Sequence, residues 1–361
     1  MLLSKASEPE TALPSLHALI RFRAGLDGAG PLAGAAHFLN CSLAAVFVAI
    51  LLLAPPALAA DRGTIVREAV IYISPDSASH KLAQAERGRE IILLDKSRNW
   101  IHVEALLGYV NNPDPAFIDD DDEADRKTVS GWILDAGIVW GSTPSGDRIL
   151  FGAAVDAEDV ASQRHGRRGA AQDALRLYQR VYDIFPNSPL AGEALYRSAD
   201  IRWQIDKADL MSRPSAHEKE SFYRQGINDD QMRLVIKKFP GTKWAEQASF
   251  HLIDNKLCGD WQGSSKCPDK EAEIYEKYAK EHPQSPSAPE ALYNALSRRA
   301  ALIEIYKTED QPKKSDKSKD EAIALAQQLN TQYPQSEWSS RGQMLLYLIQ
   351  QGVPTYGNSL E

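Results

Sequence analysis

The stretch Tyr178-Gln-Arg-Val-Tyr182-Asp-Ile-Phe185-Pro186-Asn-Ser188-Pro189-Leu-Ala191-Gly-Glu-Ala194 decides how the larger part of this 361-residue chain folds. It reads as a helix that ends on an aromatic residue, a proline stop, a short turn and a second helix opening on alanines. Proline lacks an amide proton and clashes with the preceding turn, so the helix before it must end. The Ser or Thr two residues later can accept a bond from an orphan amide of the next helix. Ala174, Tyr178, Val181, Tyr182 and Phe185 follow the three-and-four spacing of one apolar helix face, and Ala191, Ala194, Leu195 and Ala199 do so with mostly small side chains. Large residues facing small ones let two helices approach closely.

The same joint returns as Phe239-Pro240-Gly-Thr242, His282-Pro283-Gln-Ser285 and Tyr333-Pro334-Gln-Ser336. The prolines at 186, 240, 283 and 334 are separated by 54, 43 and 51 residues. A supersecondary unit repeated with variable insertions is the signature of a stacked array, because a single helix pair cannot cover both its apolar faces. The spacing predicts helices over 169–185, 189–206, 216–239, 242–257, 270–282, 287–307, 317–333 and 337–351, paired four times. The segment around Lys307–Lys319, with Pro312 and many alternating charges, reads as an exposed excursion, and 352–361 as a frayed tail.

These joints resemble the tetratricopeptide repeat, and more narrowly the form found in periplasmic outer-membrane-assembly lipoproteins and in envelope cell-division coordinators. The resemblance covers roughly 169–351. It implies a curved helical array whose inner groove docks a protein partner, with Arg197, Arg202, Trp203 and Arg298 as candidate contacts. For Trp203 and Trp244, packing between helix pairs is the competing reading.

Upstream, about 61–141, the character switches to short β-rich runs: Thr64–Arg67, Ala69–Ile73, Glu90–Leu94, Trp100–Val103 and Val129–Ile133. Turn signals such as Pro75-Asp76 and Arg87-Gly88 separate them. Short, closely spaced strands with no room for helices predict a small barrel. The order of Tyr72-Ile-Ser-Pro75, Ala85-Glu-Arg-Gly88, Asn99-Trp100-Ile-His-Val103 and Gly131-Trp132-Ile133 resembles a bacterial SH3 domain. About 25 residues between Val103 and Val129 depart from the tight hairpin usual in that family. The resemblance implies binding of peptidoglycan or a short peptide, with Tyr72, Trp100, Tyr109 and Trp132 as the aromatics that would line a groove. Both tryptophans lie on strands, where large aromatics also serve to fill a small core. The acidic run Asp119–Glu123 lacks the alternating pattern of a calcium loop and reads as solvated. Residues 142–168 read as a linker of mixed stiffness, with a helical turn or two at Ala154–Ala161, that leaves the two domains some freedom, with Arg164–Arg168 as a polar hinge.

The first 60 residues contain an uncharged run, Ser42–Ala54, followed by Pro-Pro-Ala-Leu-Ala-Ala. The run is short for a membrane span, and the small residues suit a signal peptidase, so cleavage is expected near Ala59 or Ala60. Cys41 has no lipobox context. Export to the periplasm or cell envelope would leave Cys258 and Cys267 as an even pair, for which a disulfide is expected. Closing so short a ring stabilises by somewhat under about 3 kcal/mol on loop-entropy grounds.

The formal charge is −8, and residues 1–60 contribute three cations against three anions. With no basic face, nucleic acid is not an expected ligand. The chain carries no Gly-x-Ser-x-Gly elbow, no phosphate-binding loop and no His-Glu-x-x-His; His217-Glu218 is followed by Ser221 where the second histidine is required. No catalytic residue, metal or cofactor is expected. Three readings follow: a non-catalytic envelope scaffold, a component of outer-membrane β-barrel assembly, or an accessory module of a cell-wall hydrolase. Oligomeric state is not legible.

Overall fold

The computed structural model describes residues 61–109, 126–214 and 226–357. The leader, the acidic run 119–123 and the His217-Glu218 segment lie outside them.

Seven strands form one antiparallel sheet: β1 (Arg62–Ile65), β2 (Ala69–Tyr72), β3 (Lys81–Ala85), β4 (Glu90–Ser97), β5 (Trp100–Tyr109), β6 (Arg126–Leu134) and β7 (Ile138–Trp140), in the spatial order β3-β2-β6-β5-β4-β1-β7. Side chains alternate between faces along each strand. Ile101 opposite Ile133 and Ala105 opposite Val129 therefore point one way, joined by Ile65, Ile71, Ile91 and Val103 in a buried cluster. The sequence does not single out β3 or β7, the first because Lys-Leu-Ala-Gln-Ala alternates weakly and the second because it is only three residues long. The departure between Val103 and Val129 is partly strand. The β5–β6 ladder continues past a register shift near Leu107 to Tyr109 opposite Arg126.

Among the described residues nine α-helices follow: α1 (Gly146–Ser162), α2 (Ala170–Ile184), α3 (Ala191–Met211), α4 (Asp230–Lys238), α5 (Lys243–His251), α6 (Lys266–Glu281), α7 (Ala288–Thr308), α8 (Pro312–Gln332) and α9 (Glu337–Gln351). All four joints adopt one backbone conformation. Phe185, Phe239, His282 and Tyr333 have φ between −123° and −134° and ψ between 51° and 56°. The proline that follows excludes the helical region for each of them. Each still donates its amide to the carbonyl four residues back, and its own carbonyl accepts from the amide of the Ser or Thr three residues on. That hydroxyl then accepts from an amide at the start of the next helix, at 3.1 Å for Ser188, 3.3 Å for Thr242, 3.2 Å for Ser285 and 3.2 Å for Ser336. The joint is thus the same physical object four times over.

Packing between joints follows the large-on-small pattern. Tyr178 and Val181 on α2 and Ala191, Ala194 and Leu195 on α3 are fully buried. Farther along, α6 to α9 share one core around Leu292, Leu296, Ala326 and Leu329. Two expectations need correction. Pro312 opens α8 at its first turn, where the missing amide costs nothing, so the supposed excursion shrinks to Glu309–Gln311. Of the helix expected over 216–239, the part before 226 lies outside the described residues, and α4 opens only at Asp230, after Ile227 has exchanged hydrogen bonds with the Asn255 side chain through its amide and its carbonyl.

The largest difference falls between sheet and array. Residues read as a linker contain the 17-residue α1, whose Leu150, Ala154 and Ala157 share a core with Val139 of β7 and with Leu177, Tyr178 and Val181 of α2. Beside it, Arg176 of α2 donates to the Arg87 carbonyl at 3.1 Å and pairs with Glu86 at 3.3 Å and with Asp173. Arg87 in turn donates to the carbonyls of Val66 and Ala153. Sheet and helices therefore form a single packed body across what the sequence presents as a hinge.

Gly88 makes that junction possible. Its φ is +79°, and a Cβ there would stand 2.6 Å from the Arg176 Cβ. Gly88→Ala combines left-handed backbone strain with a clash against a helix, and a loss of about 2–3 kcal/mol in urea unfolding is expected. An unchanged unfolding midpoint would show that the sheet is not seated on α2 in this way.

Candidate functional site

Chemistry collects on the face of the sheet turned away from its core. Trp100 lies opposite Leu134, His102 opposite Trp132 and Glu104 opposite Ser130, while Tyr72 of β2 lies opposite Trp132. The two-residue period that sends Ile101 and Val103 inward sends Trp100, His102 and Glu104 outward. Three of the four aromatics singled out in the sequence thus come together. The Tyr72 and Trp100 rings meet edge to face with centroids 5.5 Å apart. His102, which sequence reasoning missed, stacks on Trp132 at 5.0 Å with 16° between planes, and its Nε2 lies 3.1 Å from the Ser130 hydroxyl. The period-2 alternation of β5 was the signal for it: any residue two after Trp100 shares its face.

Neither Trp100 nor Trp132 belongs to the sheet's buried cluster, although Trp100 is itself buried at 9% exposure, with Tyr72 against its ring. Tyr109 is the exception. It ends β5 opposite Arg126, seven residues from His102 and away from the other three. The strip offers ring faces flanked by a hydroxyl, an imidazole and the Glu104 carboxylate. Such a surface can stack on apolar faces and exchange hydrogen bonds.

The second predicted set behaves differently. Trp203 is 2% exposed, sits among Met232, Val235 and Ala248, and donates from its indole to Asp254 at 3.2 Å. It is a core residue, and the assignment as a partner contact is corrected accordingly. The three arginines are engaged within the chain. Arg197 pairs with Glu158 at 3.0 Å and Glu193 at 2.8 Å and donates to the Tyr178 hydroxyl. Burial, followed by the Glu158 carboxylate, pushes the Tyr178 phenol well above its ordinary pKa, so it stays a neutral donor to Glu158. Arg202 faces Asp206 at 4.0 Å, and burial raises the Asp206 carboxyl above the usual range in spite of that neighbour. Arg298 donates to the buried Glu271 at 3.2 Å and lies over Tyr275, whose phenol burial pushes up to about 12.

Glu271 organises the disulfide loop. Cys258 and Cys267 are joined, with Cα atoms 6.1 Å apart. Glu271 accepts from the Cys258 amide at 3.0 Å and from the Trp261 indole at 3.3 Å. Trp261 packs on Tyr356, so the loop also holds the segment after α9.

Among the described residues no group of three His, Cys, Asp or Glu side chains is arranged to hold a metal ion, and no helix is long and apolar enough to cross a membrane. No protein-family model matches the chain, and no curated protein matches it.

Proposed function

We propose that this protein is a non-catalytic scaffold of the bacterial cell envelope, exported by its leader, in which an SH3-like sheet domain binds peptidoglycan or a short peptide and a tetratricopeptide-like array docks a protein partner. The observation that carries this reading is the aromatic strip of Tyr72, Trp100, His102 and Trp132 on the face of the sheet opposite the core. Trp132 and His102 stand on the face opposite Ile101 and Ile133, which supports a binding role, while Trp100 at 9% exposure backs the strip from beneath. The four-fold joint supports the array, and the Cys258–Cys267 disulfide is compatible with an oxidising compartment. Rigid coupling of sheet and array would hold two weak sites at a fixed separation and so raise the effective concentration of the second target.

The test is co-sedimentation of the full chain with purified peptidoglycan sacculi. Wild type is expected to pellet, and Trp132→Ala is expected to lose at least about tenfold in affinity, since stacked aromatics carry much of such binding. Circular dichroism of the variant checks that the sheet persists. Equal pelleting of both proteins would remove the strip from wall binding. Failure of both to pellet would remove the wall as ligand.

A further inference from the structure

The arginines expected to face a partner are neutralised inside the array, which raises the question of where the array keeps unpaired charge. A cleft of about 690 Å³ lies between the end of α5 and the side of α6. Its floor is apolar: Ile253 is 4% exposed, and Leu252 and Ile274 are partly buried. Its rim is cationic. Lys256, Lys270 and Lys277 stand against a single carboxylate, Glu281, in a chain whose formal charge is −8. Lys277 meets Glu281 only at 3.9 Å, with both side chains more than half exposed. Lys256 and Lys270 are exposed and make no ion pair among the described residues. A second cleft, of about 580 Å³ beside Arg202 and Arg213, neutralises itself through Asp206 and Asp209. Lys270, Ile274, Lys277 and Glu281 recur at the spacing of one helical stripe along α6, so that wall is roughly 16 Å long at 1.5 Å per residue.

We propose that this cleft docks an acidic amphipathic segment of a partner protein, about three helical turns long, with apolar side chains against Leu252, Ile253 and Ile274 and carboxylates against Lys256 and Lys270. The inference rests on the reading of the array as a docking surface and gives that surface a place and a charge. Charge complementarity selects the occupant: a basic segment would meet three ammonium groups, and a purely apolar one would leave them desolvated without partners. Glu281 at the far end sets the direction, since it would repel carboxylates placed beside it.

The experiment uses the full chain and a fluorescein-labelled 14-residue amphipathic helix peptide of Leu, Ala and Glu, with a twin in which every Glu is Lys. Fluorescence anisotropy is expected to show binding of the acidic peptide, at least about tenfold weaker binding of the twin, and loss of affinity as salt rises from about 50 to 500 mM. The double reversal K256E/K270E is expected to weaken the acidic peptide at least about tenfold and to leave the thermal midpoint unchanged, because neither lysine is paired. Equal binding of both peptides, or acidic-peptide binding untouched by the reversal, overturns the cleft. Lysine-dependent pelleting with phosphatidylglycerol vesicles, without any peptide preference, overturns the peptide in favour of an anionic lipid. A photo-crosslinker at Ile274, compared in cells with crosslinkers elsewhere on the array, separates the two levels. Adducts from other positions but none from Ile274 overturn the cleft alone. No adduct from any array position overturns the docking role of the array as well.

Discussion

Trp203→Ala is expected to lower unfolding free energy by about 3–5 kcal/mol, measured as a shift of the urea midpoint at unchanged slope. The indole is 2% exposed and lies where three helices meet, among Leu195 and Ala199 of its own helix α3, Met232 and Val235 of α4 and Ala248 of α5. Truncation removes a large apolar surface and leaves a cavity that alanines on the facing helix cannot fill. It also removes the bond to Asp254, but that carboxylate keeps Lys207 at 2.7 Å, so no buried charge is stranded. The loss is therefore chiefly one of packing. Trp203→Phe, which keeps most of the volume, should cost only about 1–2 kcal/mol. A loss below about 1 kcal/mol for the alanine variant would return Trp203 to the list of surface contacts.

Removing Glu271 should be comparably severe for a different reason. Its side chain is 3% exposed and accepts from three donors: the Cys258 amide, the Trp261 indole and the Arg298 guanidinium. Glu271→Ala leaves a guanidinium that is 18% exposed facing a void, and a loss of about 3–5 kcal/mol is expected. Glu271→Gln keeps one oxygen acceptor but turns an amide donor toward the remaining donors, so an intermediate loss is expected. The discriminating measurement is a double-mutant cycle with Arg298→Ala. If the pair acts as described, Arg298→Ala costs less in the Glu271→Ala background than alone, by about 1–3 kcal/mol. Additive losses would mean that Arg298 is held by Tyr275 beneath it and by the Asn294 side chain, to which it donates at 3.1 Å, and owes nothing to Glu271. Hydrogen exchange at Cys258 and Trp261 should accelerate in the Glu271→Ala variant with the disulfide intact, because the loop would lose its inner anchor while keeping its covalent closure.

Both effects depend on long-range partners, and that separates what could be read from the chain from what could not. The four joints were legible because their causes are local. A proline dictates the conformation of the residue before it and a hydroxyl reaches an amide two or three positions on, so Phe185, Phe239, His282 and Tyr333 converge on one geometry wherever they occur. The β character of 61–141 was legible from its short runs, and the cysteine pair from the expected loss of Cys41 with the leader, which leaves two. Pro312 shows the limit of local reading, since the same residue stops a helix or opens one according to which side of it packs.

Tertiary structure decided the rest. Local sequence in Gly146–Ser162, with Gly152 in its middle, offers only a helical turn or two at Ala154–Ala161; the full helix forms because Leu150, Ala154 and Ala157 find Tyr178 and Val181 across from them. Whether Trp203 faced a groove or a core turned on α4 and α5 closing over it, and no periodicity within α3 carries that information. His102 joined the aromatic strip only once the β5–β6 register set it against Trp132. Arg197 and Arg298 find Glu158 and Glu271 only across 39 and 27 residues of chain, whereas Glu193 and Asp206, four residues from Arg197 and Arg202, were within reach of local reading. Sequence determines what a residue prefers next to its neighbours in the chain. Which charges remain unpaired, and hence where a partner can dock, depends on contacts between distant segments, and those exist only in the folded molecule.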